Sequence, residues 1–565
     1  MSAGTFPAVF QDEVQGLALT GFNDRCVRHL LLRVSDADLT RQFIGELVKL
    51  LAFGEKARRD RSGTCAINVG FSYEGLYVLG APKFILEVLK ERSPAFGDGA
   101  VRRAGRYLGD GGRSAPDLWE PAFFPQEPHV WIAIHGPTQT DIRQVVDELR
   151  AFNSSFGLAG WDEHTGLCGE HIEDSNSPTR IRRVPFGFRD SITRPRIDDS
   201  PDSPPAGELL LGYKNIDKVD LWTDEQTTRA AIGEFLRHGS FGVLRKIEQF
   251  EDEFNAYLDD QVRQLRDTFP HVSVDYLKAK FCGRWPNGAP VLPGQWTEPA
   301  PPANEDELKI PNFKADPDGL GCPFGAHIRR ANPRDDKLVP EDLKIHTLFR
   351  RGVPYQAGGE RGLLGVFFCA RIEDQFERII SEWFEKKPMG PPNRGRAKDP
   401  LAGNHDDPDC AFIIPQKPGP TMELKGFFPF IRTKGTLYAL FPSHGALRAM
   451  VEWGSGPDTG AEAETTEAPA AQQAAMQSLA GSPAGTAAAV QDEQDESATE
   501  EEDEDEPSFM DVPSDRFCDV VMEGGITSGV IYASAAAELG RHYRFRNIGG
   551  SSIGAFAAAL TAGAE

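Results

Sequence analysis

The stretch GLLGVFFCARIEDQFERIISEWF, Gly362–Phe384, decides the fold. It reads as a strand running straight into a helix. The same order occurs earlier in the chain: "VWIAIHG" (Val130–Gly136) is a strand and "TQTDIRQVVDELRAF" (Thr138–Phe152) an amphipathic helix. Working outward, "HLLLRV" (His29–Val34) is strand-like, and "DADLTRQFIGELVKLLAF" follows with helical spacing at Leu39, Phe43, Leu47 and Leu50. "AINVGFS" (Ala66–Ser72) is a further strand, and "GSFGVLRKIEQ" (Gly239–Gln249) is a strand entering an acidic helical stretch. Two copies of a β-α-β-β-α-β-like unit follow, which makes the class α+β, with antiparallel sheets and helices packed on them. The copies share little sequence.

Composition excludes several functions. A chain of 565 residues with 40% hydrophobic content is too long for one core and rich enough for folded domains. Its formal net charge of −24 argues against a nucleic-acid partner, which would need a basic stripe to meet phosphate. The eight cysteines are scattered without a CxxC pair, so they read as reduced, buried thiols. The N-terminus lacks the basic start and apolar core of a secretory signal. No apolar run reaches the about 18 residues of a membrane span. The expected location is cytoplasmic.

The globular pattern stops near Trp453. No lysine or arginine lies between Arg448 and Arg516, and the interval ends in "EEEDEDE" (Glu500–Glu506). Such a composition buries too little apolar surface to offset ordering, and a disordered acidic linker is expected. Beyond it, the segment from Phe517 reads strand, glycine turn, helix, strand, glycine turn, helix start. At about 50 residues it is near the lower limit for independent folding.

"VPFGFRDSITRP" (Val184–Pro195) is a tight apolar turn that nevertheless holds Arg189 and Asp190. "CPFGAHIRRANPRDD" (Cys322–Asp336) places His327 among Gly, Ala and Phe, with Arg329, Arg330 and Arg334 nearby. Arginines beside an apolar-flanked histidine suit a planar cofactor with carboxylate tails. "HTLFRRGVPY" (His346–Tyr355) adds an arginine pair before a turn.

Together these resemble the dye-decolourising peroxidase family of haem enzymes. "GFRDSITRP" matches the family's GxxDG motif except at Ser191, where the family has glycine. "CPFGAHIRRANPR" resembles its proximal-histidine segment and "FRRGVPY" its distal-arginine segment. "VQGLALTGF", "GELLLGYKN" (Gly207–Asn215), "KDPLAGN" (Lys398–Asn404) and "GTLYALFPS" add softer matches, so the resemblance spans roughly Val14 to Trp453. It implies haem b (iron protoporphyrin IX) with His327 as axial iron ligand. Asp190 would then be the distal base acting on hydrogen peroxide and Arg350 its charged partner. Asn332 and Arg334 would hold a propionate. Asp399, or else Asp374, would support the histidine. An organic dye-like or phenolic donor would be the second substrate. Trp119, Trp222, Trp285 and Trp383 are candidate surface relays, with ordinary packing as the plainer explanation, and Phe186, Phe188, Phe367 and Phe368 candidate apolar walls.

"GGITSGV" followed by "GGSSIG" (Gly549–Gly554) resembles the start of a patatin-like acyl hydrolase, with Ser552 as nucleophile in GxSxG. That family completes its dyad with a downstream aspartate, which does not occur before Glu565, so this part is expected to be inactive as it stands. A lipid would be the substrate of a complete module. The expected organisation is a duplicated ferredoxin-like peroxidase (1–205 and 206–455), a linker (456–510) and a patatin-like segment (511–565). The competing reading is a non-catalytic haem-binding, redox-sensing domain that regulates the lipolytic module. A homo-oligomer is left open.

Overall fold

The computed structural model describes residues 8–22, 24–54, 65–153, 157–160, 166–173, 181–193, 195–198, 200, 203–222, 230–300, 308, 313–333, 344–386, 398–405, 410–454, 517–524 and 544–552. They fall in two units, Met1–Glu462 and Ala463–Glu565.

In the first unit, the first copy comprises β1 (Cys26–Val34), α1 (Ala37–Val48), β2 (Ala66–Phe71), β3 (Val130–Gly136), α2 (Gln139–Asn153) and β4 (Gly166–Glu170). Helix α1 begins where the Asp36 side chain accepts from the Leu39 amide at 2.9 Å, satisfying a donor the helix leaves open. It buries Phe43, Ile44 and Leu47, while Leu50 falls beyond its end and is exposed.

The second copy comprises β5 (Ser240–Gln249), α3 (Glu251–Leu265), α4 (Val274–Cys282), α5 (His327–Ala331), β6 (Phe349–Arg350), β7 (Val353–Ala357), β8 (Glu360–Cys369) and β9 (Ile431–Phe441). The helix expected after β8 forms as two wide π-type segments, Ile372–Glu377 and Ile379–Phe384. Such turns recur where a helix presents groups to a site.

The first copy has strand order β2-β3-β1-β4 and the second β7-β8-β5-β9, every neighbour antiparallel. Counted within its own copy, and leaving out the two-residue β6 that lies off this path, each order is 2-3-1-4. The duplication is thus visible in topology although it is faint in sequence. Strand β9 also meets β2, Leu440 opposite Phe71, and joins both copies in one sheet. A glycine from each copy makes the join possible. A Cβ on Gly70 or on Gly242 would lie 2.5 Å from the Phe441 ring.

Buried ion pairs fasten the helices between β2 and β3 to the second copy. Arg103 donates to both Glu377 oxygens, at 2.8 and 2.6 Å, and the Tyr438 hydroxyl donates to the same carboxylate. Arg245 of β5 forks onto Asp110 at 2.8 and 2.7 Å. Removing one partner of such a pair costs about 3–5 kcal/mol, because it strands a buried charge. Glu377 belongs to the π segment that leads to the site.

In the second unit, Phe517–Gly524 and Arg544–Ser552 pair in parallel, Ser552 opposite Gly524. The linker 456–510, the residues between these strands and those after Ser552 lie outside the described residues. Among the described residues no helix is long and apolar enough to cross a membrane.

Candidate active site

The loop ahead of His327 is fixed by charged groups that satisfy its backbone. Lys280 of α4 donates to the carbonyls of Leu320 and Gly321 at 2.7 and 2.6 Å. Burial pushes this ammonium down to about 8. The Asp316 carboxylate accepts from the amides of Gly321 and Cys322. Arg329 donates to the Cys322 carbonyl at 2.7 Å, and Arg330 to the carbonyls of Gly325 and Lys386. These two arginines therefore serve the loop, where the sequence had pointed to the carboxylate tails of a cofactor.

His327 opens the five-residue helix α5. Its Nδ1 lies 3.0 Å from Oδ2 of Asp399, which is fully buried. The other Asp399 oxygen accepts from the amides of Leu401 and Ala402, both at 2.9 Å. Burial alone would raise this carboxyl, but His327, Arg330 and the amide bonds together hold it below its usual value. An anionic acceptor at Nδ1 keeps the proton there and leaves Nε2 as the lone-pair nitrogen. Among the described residues Nε2 makes no hydrogen bond, and the ring rests 5.1 Å from that of Phe384. A neutral imidazole oriented by a buried carboxylate, with its second nitrogen open, fits the donor chemistry of a haem iron. Asp374 is instead paired with Arg371 at 3.2 Å and Arg378 at 3.5 Å.

The turn at 184–193 is held by backbone hydrogen bonds within itself and to its neighbours. The Val184 amide donates to the Phe188 carbonyl, Arg189 to Pro286 and Asp190 to Arg182. The Asp190 side chain stays 27% exposed, with Oδ2 3.8 Å from Nδ1 of the buried His171. Its Oδ1 accepts from the Ser191 amide at 2.6 Å. Ser191 has φ of +64°, the left-handed conformation for which glycine is the usual residue. Arg350, at the exposed end of β6, donates to Thr193 Oγ1 at 3.2 Å. Thr193 lies three residues after Asp190, so Arg350 is tied to the turn that carries this carboxylate. Arg351 is buried and donates to the carbonyls of Ala18 and Leu19. Of the two arginines, Arg350 is the one that faces outward.

Asn332 is exposed at the end of α5, and Arg334 lies outside the described residues. Trp119, Trp222, Trp285 and Trp383 are all buried, which agrees with ordinary packing, the plainer explanation, and removes them as surface relays. Three of them donate their indole N–H internally, to Ser114, Ala370 and Gln295. Phe186 and Phe368 are likewise core residues, packed on Phe254 and Phe441. Sequence reasoning missed His171, Thr193 and Lys280. Each is a single polar residue whose partner comes from a distant segment.

This site sits on the fold of the dye-decolorizing peroxidases. A fungal DyP-type peroxidase from Auricularia auricula-judae superposes with TM-score 0.62, over 78% of this chain and 98% of that one, at 22% identity. No protein-family model matches the chain. Among curated proteins it is similar to dye-decolorizing peroxidase msp1 of Mycetinis scorodonius, 27% identical over 427 residues, which cover 68% of this chain and 76% of that protein. A 44-residue stretch is 64% identical to the RpoH suppressor of Rhizobium meliloti, covering 8% of this chain and 7% of that protein.

Proposed function

We propose that the chain is a haem-dependent peroxidase that reduces hydrogen peroxide and oxidises dye-like or phenolic donors. The observation that carries this reading is His327, held at Nδ1 by the buried Asp399 and open at Nε2. His327 would hold the iron through Nε2, and Asn332 with Arg334 would receive a propionate. When bound, the haem supplies the redox centre at which the O–O bond of peroxide is cleaved. Asp190 takes the proton from one peroxide oxygen on its carboxylate and returns it to the other, as a positioned general base does. Arg350 keeps its charge and donates to the oxygen on which negative charge develops. The sequence similarity to dye-decolorizing peroxidases supports the same reading. On it, residues 1–205 and 206–455 are the two halves of the peroxidase. The GxSxG at Gly550–Gly554, whose Ser552 is the last residue of a strand paired in parallel with Phe517–Gly524, supports a second acyl-hydrolase segment with Ser552 as its nucleophile.

The test is the absorption spectrum of the haem-reconstituted chain, recorded with and without peroxide. Wild type is expected to hold haem stoichiometrically and to respond to peroxide, and His327→Ala to lose that haem. An unaltered spectrum in His327→Ala would overturn the axial assignment.

A further inference from the structure

Glu208 is a buried carboxylate with no part in the assigned chemistry, yet it anchors the segment that carries Arg350. It closes the short turn Ala206–Glu208 and is 1% exposed. Its Oε1 accepts from the Ile216 amide at 3.0 Å and lies 3.1 Å from His346 Nδ1, while Oε2 accepts from the Thr347 amide at 2.7 Å. The carbonyls of both Glu208 and Thr347 accept from the Gln375 side chain. The far nitrogen of His346 lies 3.4 Å from Asp217. Two residues after Thr347 the chain enters β6, which pairs with Phe367 and Phe368 of β8 and ends at Arg350. The segment is therefore held by the sheet at one end and by an ionisable pair at the other.

We propose that Glu208 and His346 are positioning residues for Arg350. With His346 protonated, its charged bonds to Glu208 and Asp217 fix the segment, and with it the guanidinium. With His346 neutral, one of those bonds is lost and Arg350 loses its placement. This rests on the peroxidase reading of Arg350.

The groups facing His346 agree with such a device. Glu208, Asp217 and Asp374 are the acids around it, and the nearby bases Lys344 and Arg371 are paired with Asp217 and Asp374. The hydrogen bond to Glu208 raises the imidazole above its usual 6.5, burial opposes the rise, and the field of the acids adds to it. A raised histidine pKa means that the interaction is complete below about 6.5 and is lost as pH rises through the higher folded value.

The experiment follows the reaction of the haem-loaded chain with peroxide by stopped flow across pH. Alongside it, hydrogen exchange of the 346–350 amides is measured without peroxide. The wild-type rate should fall as His346 titrates. His346→Gln should react roughly 10- to 100-fold more slowly in acid, as a displaced catalytic group does, and should lack that titration. His346→Lys should keep the acid rate and carry it to higher pH. Amide exchange should be faster in His346→Gln. Asp217→Asn, an exposed and milder change, should move the fall in rate to lower pH even if His346→Gln folds poorly. A reactive wild type whose His346→Gln and Asp217→Asn variants keep its rate, pH profile and exchange overturns the clamp. A wild type that binds haem but is inert to peroxide overturns the peroxidase reading, and the role of the clamp with it.

Discussion

The His327 side and the Asp190 side of the site are built on opposite principles. Every oxygen of Asp399 is engaged, the side chain is fully buried, and it touches the histidine directly. Asp190 is 27% exposed, 3.8 Å from its nearest histidine, and bonded through Oδ1 to the amide of the next residue. The difference matches the tasks proposed for them. A ligand nitrogen must keep one tautomer and one direction, which favours a rigid, desolvated anion. A base must take up a proton and release it, which favours contact with solvent and partners that do not fix it in one state. Rigidity on one side and access on the other is a division of labour that mutation can separate.

The largest separation is expected from Asp190→Asn. Its reaction with peroxide should slow by roughly 10²–10⁴-fold, the usual loss with a general base, while the haem spectrum stays that of wild type. Arg350→Leu should behave in the same way, since it removes the charge that meets developing negative charge. Spectra and stopped-flow traces of the same samples decide the point. Loss of haem in Asp190→Asn would show that the two sides are one structural unit and that the comparison is wrong.

Asp399→Asn probes the rigid side. Asparagine still accepts from Nδ1 but carries no charge, and haem affinity should drop by roughly 10–100-fold, as for other outer partners of a metal ligand. Because the Asp399 pKa is lowered in the folded chain, its contribution is present above the ordinary carboxyl value of 3.8 and is lost as pH falls through the lower folded value. Wild type should therefore release haem in a step at strongly acidic pH that Asp399→Asn does not show. Haem retention titrated from pH 7 downward measures both effects. Equal affinities for the two proteins would make the 3.0 Å contact incidental.

Much of this was legible in the chain. Val130–Gly136 is an almost wholly apolar run, Ser240–Gln249 opens on the apolar stretch Phe241–Leu244, and α1 has a helical period and a capping aspartate, all of which are local signals. The two π segments keep apolar residues at nearly helical intervals, so periodicity alone does not distinguish them from an α-helix. The choice between Asp399 and Asp374 depends on which loop returns to His327, and that is a tertiary fact. The same holds for Thr193 under Arg350 and for Lys280 under the His327 loop. The tryptophans show the limit from another direction: composition counts aromatic rings but carries nothing about their exposure.

The smallest expected effect sharpens the accessible side. Ser191 holds φ of +64° beside the candidate base. A left-handed conformation costs a residue with a Cβ about 1–2 kcal/mol, and glycine gives back part of that relief through its freer unfolded chain. Ser191→Gly should therefore stabilise the protein by about 0.5–1 kcal/mol in reversible denaturation. The bond from the residue 191 amide to Asp190 Oδ1 belongs to the backbone and should survive the change. Ser191→Ala is the control, because it keeps the Cβ and removes only the hydroxyl. If peroxide rates agree in both variants and in wild type, serine at this position affects stability alone. A slower rate in both variants would assign the hydroxyl a part in proton transfer at Asp190, and a faster rate in glycine alone would show that the Cβ crowds the turn. A destabilised Ser191→Gly would mean that the turn is not strained, and the openness of this side would then need another cause.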